Sequence, residues 1–387
     1  MKNIAWIMLL CLVSCTMNRS EKETLLKGQG DLNLDESAQL KFSELFDTVE
    51  YVPLETNDTF LLGYIDRPKL VGKSIYFISD KSFYQFDTET GKGKLKISRL
   101  GLGPEEYQSL FDACVDSVSG NVELLDNNHK QIQVYDSKGQ YVRSLPLPFM
   151  PFGFMKQGEN DYWFYNNNLI SDVSRSKLVR YDMKSNRITE ELFPIDEHVA
   201  SYFFVVDANN FTSTPSGLFY MASPSDTIYR LGDGAAPIYA LGLGKYRVPQ
   251  DFWNKQYADI MEFVTKANEH DYIYSLTNFS LNDQVIMVAF MLREQLYWSF
   301  YSVNNRSVYT ACHIYDDFNF TTGIKLSTGN IPYTMDNDYF YCFITAEQFV
   351  GLAEKAKNPQ IKRLIEEHKL EEQANPVLMK CKLKINR

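Results

Sequence analysis

The chain has 387 residues, of which 44% are hydrophobic and 23% are charged, as in ordinary globular proteins. Its formal net charge is −10, and the sequence has no cluster of Lys and Arg with interleaved aromatic residues. We therefore expect no binding to nucleic acid, because a phosphate backbone is held largely by such cationic clusters.

The N-terminus is typical of an exported lipoprotein. Lys2 precedes an apolar stretch at residues 4–13, which is far shorter than the roughly 20 residues that span a bilayer. The sequence Leu12-Val-Ser-Cys15 matches a lipobox, so residues 1–14 are predicted to be a cleaved signal peptide. Cys15 would then carry acyl chains that anchor the protein to a membrane. The alternative is an ordinary secretory signal in which Cys15 has no role.

The segment after Cys15 is polar and weakly patterned. We predict that residues 15–45 are the lipidated Cys and a flexible tether, and that residues 46–387 form one folded domain. Residues 16–20 lack an acidic run, which favours the periplasmic side of the outer membrane over the cell surface. Residues 48–54 look like a strand that has no partner upstream.

A unit of two short strands and two turns recurs along the rest of the chain. It is clearest at residues 120–139, where Asp126 ends the first strand, Asp136 ends the second, and Gly139 supplies the positive φ of a tight turn. Looser copies lie at residues 75–87, 162–182, 218–231, 284–303 and 338–383.

Aromatic residues near the ends of the second strands measure the repeat. Four of these anchors are spaced by 46 to 49 residues: Phe86, Tyr135, Tyr181 and Tyr229. Periods of about 40 to 50 residues with several strands each are typical of four-stranded propeller blades. Aromatic residues make up 14% of the chain, and we expect most of them in the core between blades, with a ligand-stacking surface as the alternative.

Two families share motifs with the chain. Residues 120–139 resemble an NHL-type repeat. A larger part resembles the six-bladed β-propeller lipoproteins of Bacteroidota-type bacteria, which are NHL-like or TolB-like propellers. The motifs that carry this second resemblance are Tyr51-Val-Pro-Leu-Glu55, Gly101-Leu-Gly-Pro-Glu-Glu-Tyr107, Leu243-Gly-Lys-Tyr-Arg-Val-Pro249 and Asn375-Pro-Val-Leu378. The resemblance implies the fold and lipid anchoring but no particular activity.

The predicted fold is therefore all-β, a six-bladed propeller of four-stranded antiparallel blades. Residues 48–54 would close the ring as the outermost strand of the last blade, beside residues 377–383. Apolar residues at helical spacing predict short helical insertions at about 250–268 and 346–373.

Blade topology assigns each connection to one end of the propeller. With strands a to d running outward from the axis, the b-to-c turns and the d-to-a loops share one end, which we call the loop-rich face. Residues 99–110, residues 127–130 and both helical insertions fall there, so this face is the predicted binding site. The candidate ligand contacts are Arg99, Glu106, Tyr107, Asp112, Asn127 and His129. The expected partner is a small molecule, a glycan or an envelope protein, and the alternative is that the helices only cap the channel.

Catalytic motifs are not found in the sequence. Nucleotide-binding, metalloprotease and serine-hydrolase signatures do not occur, and the five His residues have unrelated spacings, so we predict no cofactor and no metal. A glycan hydrolase or lyase that uses carboxylates from different blades remains the alternative function. Its candidate acids are Glu105, Glu106, Asp112 and Asp116, whereas Asp126, Asp136 and Asp182 are expected to hold turns.

Removal of the signal peptide would leave four cysteines besides Cys15. Cys114, Cys312, Cys342 and Cys381 contain no C-x-x-C pair. Cys342 and Cys381 fall on neighbouring predicted strands, so a disulfide is geometrically conceivable, although two buried free thiols are favoured.

Overall fold

The computed structural model describes residues 26–27, 34, 39–200, 202, 209–223, 225–293, 295–321 and 333–384. In this part of the chain, six antiparallel sheets contain four consecutive neighbouring strands each, and the innermost strands surround one axis. The predicted six-bladed propeller is thereby confirmed.

The four strands of each blade follow one another from the axis outward as a, b, c and d. Blade 1 is Ile65–Val71, Ser74–Ser79, Ser82–Asp87 and Gly93–Ile97, and blade 2 is Asp112–Val115, Val122–Asp126, Gln131–Tyr135 and Tyr141–Pro146. Blade 3 is Gly153–Lys156, Asp161–Tyr165, Ser176–Asp182 and Arg187–Pro194, and blade 4 is Phe211–Thr214, Gly217–Tyr220, Thr227–Gly232 and Gly234–Ala240. Blade 5 is Leu276–Leu281, Val285–Leu292, Gln295–Ser302 and Val308–Ala311, and blade 6 is Tyr333–Met335, Tyr339–Ile344, Val377–Leu383 and Phe46–Pro53.

The ring is closed by strands from opposite ends of the chain. Phe46–Pro53 forms strand d of blade 6 and pairs antiparallel with Val377–Leu383, so that Tyr51 lies opposite Met379. The innermost strands of blades 6 and 1 also contact each other. The closure predicted from the sequence is therefore confirmed, and it removes the free edges that an open sheet would present.

The four aromatic anchors occupy one structural position. Each lies on strand c of its blade, and at each one the pairing with strand d shifts by one residue. The extra residues of strand d are Lys94, Val142, Thr189 and Ile238. A bulge of this kind increases the local twist of the strand pair. The sequence period therefore reflects a repeated bulge at the outer edge of the blades.

Large side chains fill the spaces between blades. Trp163 and Trp298 are fully buried, and apolar clusters combine residues of adjacent blades, such as Ile132 of blade 2 with Phe154 of blade 3. Aromatic rings stack within and between blades, as do Phe46 and Phe340 at 5.7 Å. Most of the aromatic content is therefore core, as expected.

Both helical insertions are confirmed. The first contains the helices Gln250–Trp253 and Ile260–Glu269, and the second contains the helices Ala346–Gly351 and Pro359–His368 with the 3-10 turn Ala353–Lys355 between them. Asp259 and Thr345 accept hydrogen bonds from backbone N–H groups of the first turn of the helix that follows each of them. Shorter helical segments are Phe42–Leu45, Glu197–Val199 and Gly244–Tyr246.

The N-terminal segment packs along the outside of the ring. Leu26–Lys27 pairs parallel with the end of strand d of blade 4, and Gln39–Lys41 pairs parallel with the short strand His313–Tyr315. Phe42 and Leu45 are fully buried. The packed structure therefore begins ahead of residue 46. The predicted signal peptide and Cys15 lie outside the described residues.

The four described cysteines, Cys114, Cys312, Cys342 and Cys381, are all free and buried. The favoured prediction of free thiols at Cys342 and Cys381 is confirmed, and burial raises the pKa of the Cys381 thiol well above its usual range. Among the residues described, none of the helices is both long enough and apolar enough to span a bilayer.

Candidate functional site

The loop that joins blades 1 and 2, residues 99–110, is fixed by its own polar groups. Glu106 Oε2 accepts a hydrogen bond from Gly103 N at 2.8 Å, and Gln133 Nε2 of blade 2 donates to the backbone carbonyl of Glu106 at 2.6 Å. A Cβ atom at Gly101 would lie 2.0 Å from Glu106 Oε2, so glycine is needed for this close approach. Glu106 therefore braces the loop from within.

Tyr107 is buried below the same loop. It is 0% exposed, its hydroxyl donates to Lys81 O at 2.8 Å, and it accepts from Arg99 N at 3.2 Å. Burial raises the pKa of Tyr107 to about 12. The Arg99 side chain forms an ion pair with Glu105 at 3.3 Å. Tyr107 therefore has no free ring face for a ligand, contrary to the role that the sequence suggested.

The b-to-c turn of blade 2 holds this loop in place. Ser109 Oγ lies 2.7 Å from Asn127 Oδ1, and the carboxylate of Asp126 accepts from Ser109 N at 3.2 Å and from His129 Nδ1 at 2.7 Å. Asp126 and Asn127 are buried. The loop at residues 99–110 and the turn at residues 127–130 thus lie together, as the sequence predicted. Their polar groups, however, bind one another.

Asp112 differs from the other candidate residues because it lies at the axis. It begins strand a of blade 2 and is 2% exposed. Its Oδ1 lies 2.7 Å from Lys69 Nζ of blade 1, and its Oδ2 accepts from Phe154 N of blade 3 at 3.0 Å. Asp112 therefore ties together the innermost strands of three blades.

A cavity lined by described residues lies on the axis. Its volume is about 960 Å³, and it is lined by strand-a residues of blades 1, 2, 3, 4 and 6 and by the a-to-b turns of blades 1 to 4. It opens among those turns, at the end opposite the loop-rich face. We call this end the turn face. This cavity thus opens at the end of the propeller opposite the predicted binding face.

Lys156 connects two carboxylates at the wall of this cavity. Its Nζ lies 2.9 Å from Asp116 Oδ2 and 2.8 Å from Glu123 Oε1, and Tyr162 Oη donates to the same Glu123 oxygen at 3.0 Å. Burial alone would lower the pKa of Lys156, but hydrogen bonds to Glu123 and Asp116 outweigh it and raise the pKa. The backbone N–H of Ser119 and then Lys156 hold the pKa of Asp116 well below its usual range.

The rest of the lining mixes hydroxyl and amide groups with a few apolar faces. Polar examples are Ser117, Ser119, Asn121, Thr212 and Thr334, and apolar examples are Tyr76, Met155 and Phe211. A concave site with dispersed polar groups and some ring surface is suited to a small hydroxylated ligand.

A second cavity of about 550 Å³ lies off the axis, between the segment that leads from blade 6 into blade 1 and the end of the second helical insertion. Its lining includes Glu55, Lys92 and His368. Within the described residues, no three His, Cys, Asp or Glu side chains are grouped so that they could hold a metal ion.

The profile of one protein family covers almost the whole propeller. A domain of unknown function, DUF4934, matches residues 30–382. The chain belongs to the DUF4934 family. No curated protein matches the chain in sequence.

Solved structures show where else the fold occurs. The chain is similar to a Bacteroides fragilis NCTC 9343 protein described as a "putative exported protein (BF0058)", with a TM-score of 0.73 and 16% identity over 89% of this chain and 99% of that one. It is also similar to a duf4221 family member from Bacteroides vulgatus ATCC 8482, with a TM-score of 0.53 and 12% identity over 87% and 97% of the two chains. At these identities the likeness shows the fold alone.

The axial residues were not recognisable in the sequence, apart from Asp112 and Asp116. Lys69 and Lys156 lie on short strands that resemble ordinary blade segments, and Asn210 immediately precedes another such strand. The one usable signal is a Lys within a predicted buried strand, because Lys is rarely buried unless it is paired with an acidic group. The partners of these lysines come from another blade, so no linear motif records them.

Proposed function

We propose that this DUF4934 protein is an exported, lipid-anchored binding module that holds a small polar ligand, such as part of a glycan, in its axial cavity. The observation that carries this proposal is the cavity of about 960 Å³ on the turn face, with hydroxyl, amide and charged groups contributed by five blades. Several blades converging on one concave site is how a propeller builds a ligand pocket.

The loop-rich face is a less suitable place for a ligand than the axial cavity. The polar groups of residues 99–110 and of the adjacent turn of blade 2 are engaged with each other and with the backbone. A site whose hydrogen-bonding groups are already satisfied gains little from a polar ligand. The proposal therefore places the ligand at the opposite end from the one that the sequence favoured.

Location is part of the same proposal. The lipobox at Cys15 and the likeness to a protein described as exported support attachment to the cell envelope, and the lack of an acidic run at residues 16–20 favours the periplasmic side of the outer membrane. Leu26 already pairs with blade 4, so about ten residues separate the anchor from the ring. Ten extended residues reach at most about 35 Å. The propeller would therefore stay close to the membrane surface.

The arrangement of Lys156 argues against the glycan hydrolase alternative. Retaining and inverting glycosidases need one protonated carboxyl group next to an ionised one. Here the ammonium group of Lys156 lies between Asp116 and Glu123, and it helps to keep Asp116 ionised. A binding role uses this arrangement as it stands.

Blocking the cavity tests the proposal. The purified protein, expressed from its full-length chain, would be screened by thermal shift against neutral and acidic oligosaccharides. Ser213→Trp places a large ring at the exposed rim of the cavity, and Lys184→Trp is the matched control on an outer turn of blade 3. We expect at least one saccharide to raise the melting temperature of the parent and of Lys184→Trp but not of Ser213→Trp. The absence of any such saccharide, or equal binding by both variants, contradicts a ligand site in the cavity.

A further inference from the structure

Arg67 has an unusual backbone for a residue of an innermost strand. Its φ is 51°, in the left-handed region, and the pairing of strands a and b of blade 1 shifts between Asp66 and Lys69. A non-glycine residue pays a conformational cost for such a φ, and such strain tends to occur at functional sites. The bulge at Arg67 redirects one side chain within an otherwise regular blade.

The guanidinium group of Arg67 is buried and makes no hydrogen bond within the described part of the chain. The side chain is 9% exposed, and the nearest charge is Asp66, whose Oδ2 lies 3.7 Å from Nε. The group lies over the Phe111 ring at 4.9 Å from its centroid. Lys69 and Lys156, in contrast, each reach a carboxylate at less than 3 Å. Arg67 therefore keeps donors that the fold does not use, which is costly for a buried cation.

Three blades direct side chains toward Gly153, the first residue of strand a in blade 3. A Cβ atom at Gly153 would lie 3.5 Å from Asp112 Oδ2, 3.8 Å from Arg67 Nη1 and 3.8 Å from Asn210 Oδ1. Asn210 is 3% exposed, and its Nδ2 donates to Met221 O at 3.1 Å, which fixes the orientation of the amide. Within the described residues, its Oδ1 has no partner. A cation that makes no hydrogen bond and an acceptor that receives none thus meet at a glycine, within the described residues.

These groups define a ligand chemistry. The planar guanidinium group fits a carboxylate, whereas Asn210 Oδ1 and Asp112 Oδ2 accept hydrogen bonds and so require hydroxyl donors. A dianion such as phosphate is disfavoured, because the carboxylates of Asp66 and Asp112 lie near Arg67 and repel a second negative charge. The site is suited to one negative charge flanked by hydroxyl groups.

We propose that Arg67, Asn210 and Gly153 form a subsite on the axis, next to the axial cavity, and bind the carboxylate and a neighbouring hydroxyl of an acidic sugar, a uronic acid. This inference rests on the proposed function and specifies its ligand. Lys69 lines the cavity and binds Asp112, so this ion pair lies between the open cavity and the subsite. The rest of a longer saccharide would then occupy the wider part of the cavity.

Matched pairs of sugars test the subsite. Isothermal titration calorimetry on the purified protein, expressed from its full-length chain, would compare glucuronate with glucose and galacturonate with galactose, which differ in each pair by the carboxylate alone. We expect at least one uronate to bind at least tenfold more tightly than its neutral partner. Equal affinity within both pairs, or no binding of any uronate, overturns the subsite. L-lactate serves as a free hydroxy acid, and equally tight binding of lactate overturns the assignment to a sugar.

Variants locate the effect. Arg67→Gln is expected to remove the preference for the uronate, and Gly153→Ala, whose added methyl group meets only ordinary van der Waals contacts, is expected to weaken uronate binding at least fivefold. Arg187→Gln, at an exposed position on the outermost strand of blade 3, is the matched control and should bind like the parent. Should Arg67→Gln fail to fold, Gly153→Ala decides. A preference for the uronate that survives in both variants overturns the subsite. If neutral sugars bind and only Ser213→Trp blocks them, the subsite is wrong but the proposed function of the cavity stands.

Discussion

Polar side chains in the loops of the loop-rich face and on the axis of the propeller serve different purposes. At the loop-rich face, Glu106 binds the backbone of its own loop, and Asp126 binds a neighbouring loop and a His of its own turn. On the axis, near the first residues of the innermost strands, Arg67 Nε and Asn210 Oδ1 are buried without a hydrogen-bond partner among the described residues. The first arrangement stabilises the fold, whereas the second leaves a donor and an acceptor that can still form hydrogen bonds with a ligand.

This difference explains why the longer connections are not the better binding candidates here. Long loops need internal bonds to remain ordered, and a charged residue in such a loop is readily consumed in that role. The short a-to-b turns, in contrast, leave the last residues of the innermost strands exposed to the axial cavity. The comparison leads to four expectations about stability, two for positions of the loop-rich face and two for residues that line the axial cavity.

Tyr107→Ala is expected to have the largest effect on folding. The ring is 0% exposed and its hydroxyl bonds to Lys81 O, so we expect a loss of about 3–5 kcal/mol in the free energy of unfolding. Urea denaturation followed by circular dichroism measures it. Tyr107→Phe, which keeps the ring, should lose only about 1–2 kcal/mol. Saccharide binding that disappears in the folded Tyr107→Phe protein would contradict a purely structural role for this residue.

Lys156→Met is expected to destabilise the protein by about 3 kcal/mol, because it leaves Glu123 buried and without its cation. The free energy of unfolding at neutral pH measures this effect. The double variant Lys156→Met with Glu123→Gln should recover much of the loss, since the uncompensated charge is removed. Lys130→Met, on an exposed turn of the loop-rich face, is the control and should change stability by less than about 0.5 kcal/mol. Additive losses in the double variant would show that the two residues do not interact.

Gly101→Ala is expected to cost about 1–2 kcal/mol, because the new methyl group would displace the Glu106 carboxylate from its bond to Gly103 N. Thermal unfolding of the variant measures the cost. Gly232→Ala is the matched control, since a Cβ atom there meets nothing within 4 Å. A melting temperature that falls equally in both variants would mean that the contact with Glu106 does not stabilise the loop.

Asp116 should make stability depend on pH at the turn face. Its pKa is lowered in the folded protein, chiefly by the Ser119 N–H and by Lys156. A lowered pKa stabilises the folded state above the ordinary carboxyl pKa of about 3.9 and loses that contribution as the pH falls below it. Asp116→Asn should therefore cost about 1 kcal/mol at pH 7 and almost nothing at the acid end of the titration. Urea midpoints measured across the acid range test this, with the exposed Glu159→Gln as the control. A loss that stays constant with pH would contradict the charge argument.

Much of the fold could be predicted because its determinants are local and repeated. Asp136 and Gly139 define a turn by themselves, and the anchors Phe86 and Tyr135 recur because the same bulge recurs in each blade. Ring closure could be predicted because the sequence has one strand without a partner near each end of the chain, around Tyr51 and around Met379. These features are visible within a few residues of sequence.

The axial site could not be predicted, because its residues come from different blades and each is unremarkable alone. Arg67 and Asn210 are distant in sequence, and they meet only because strands a surround one axis. Gly153 reads as an ordinary strand start. In contrast, the motif from Gly101 to Tyr107 is conspicuous in sequence because a tight, internally bonded loop demands particular residues.

The pairing of Phe46–Pro53 with Val377–Leu383 also constrains how the molecule is made. The ribosome releases the first of these strands more than three hundred residues before the second. During that interval Tyr51 and its neighbours have no partner, because strand c of blade 6 has not yet been made. A nascent chain shortened at its C-terminus would therefore leave an unpaired strand at each end, which favours aggregation over a smaller propeller.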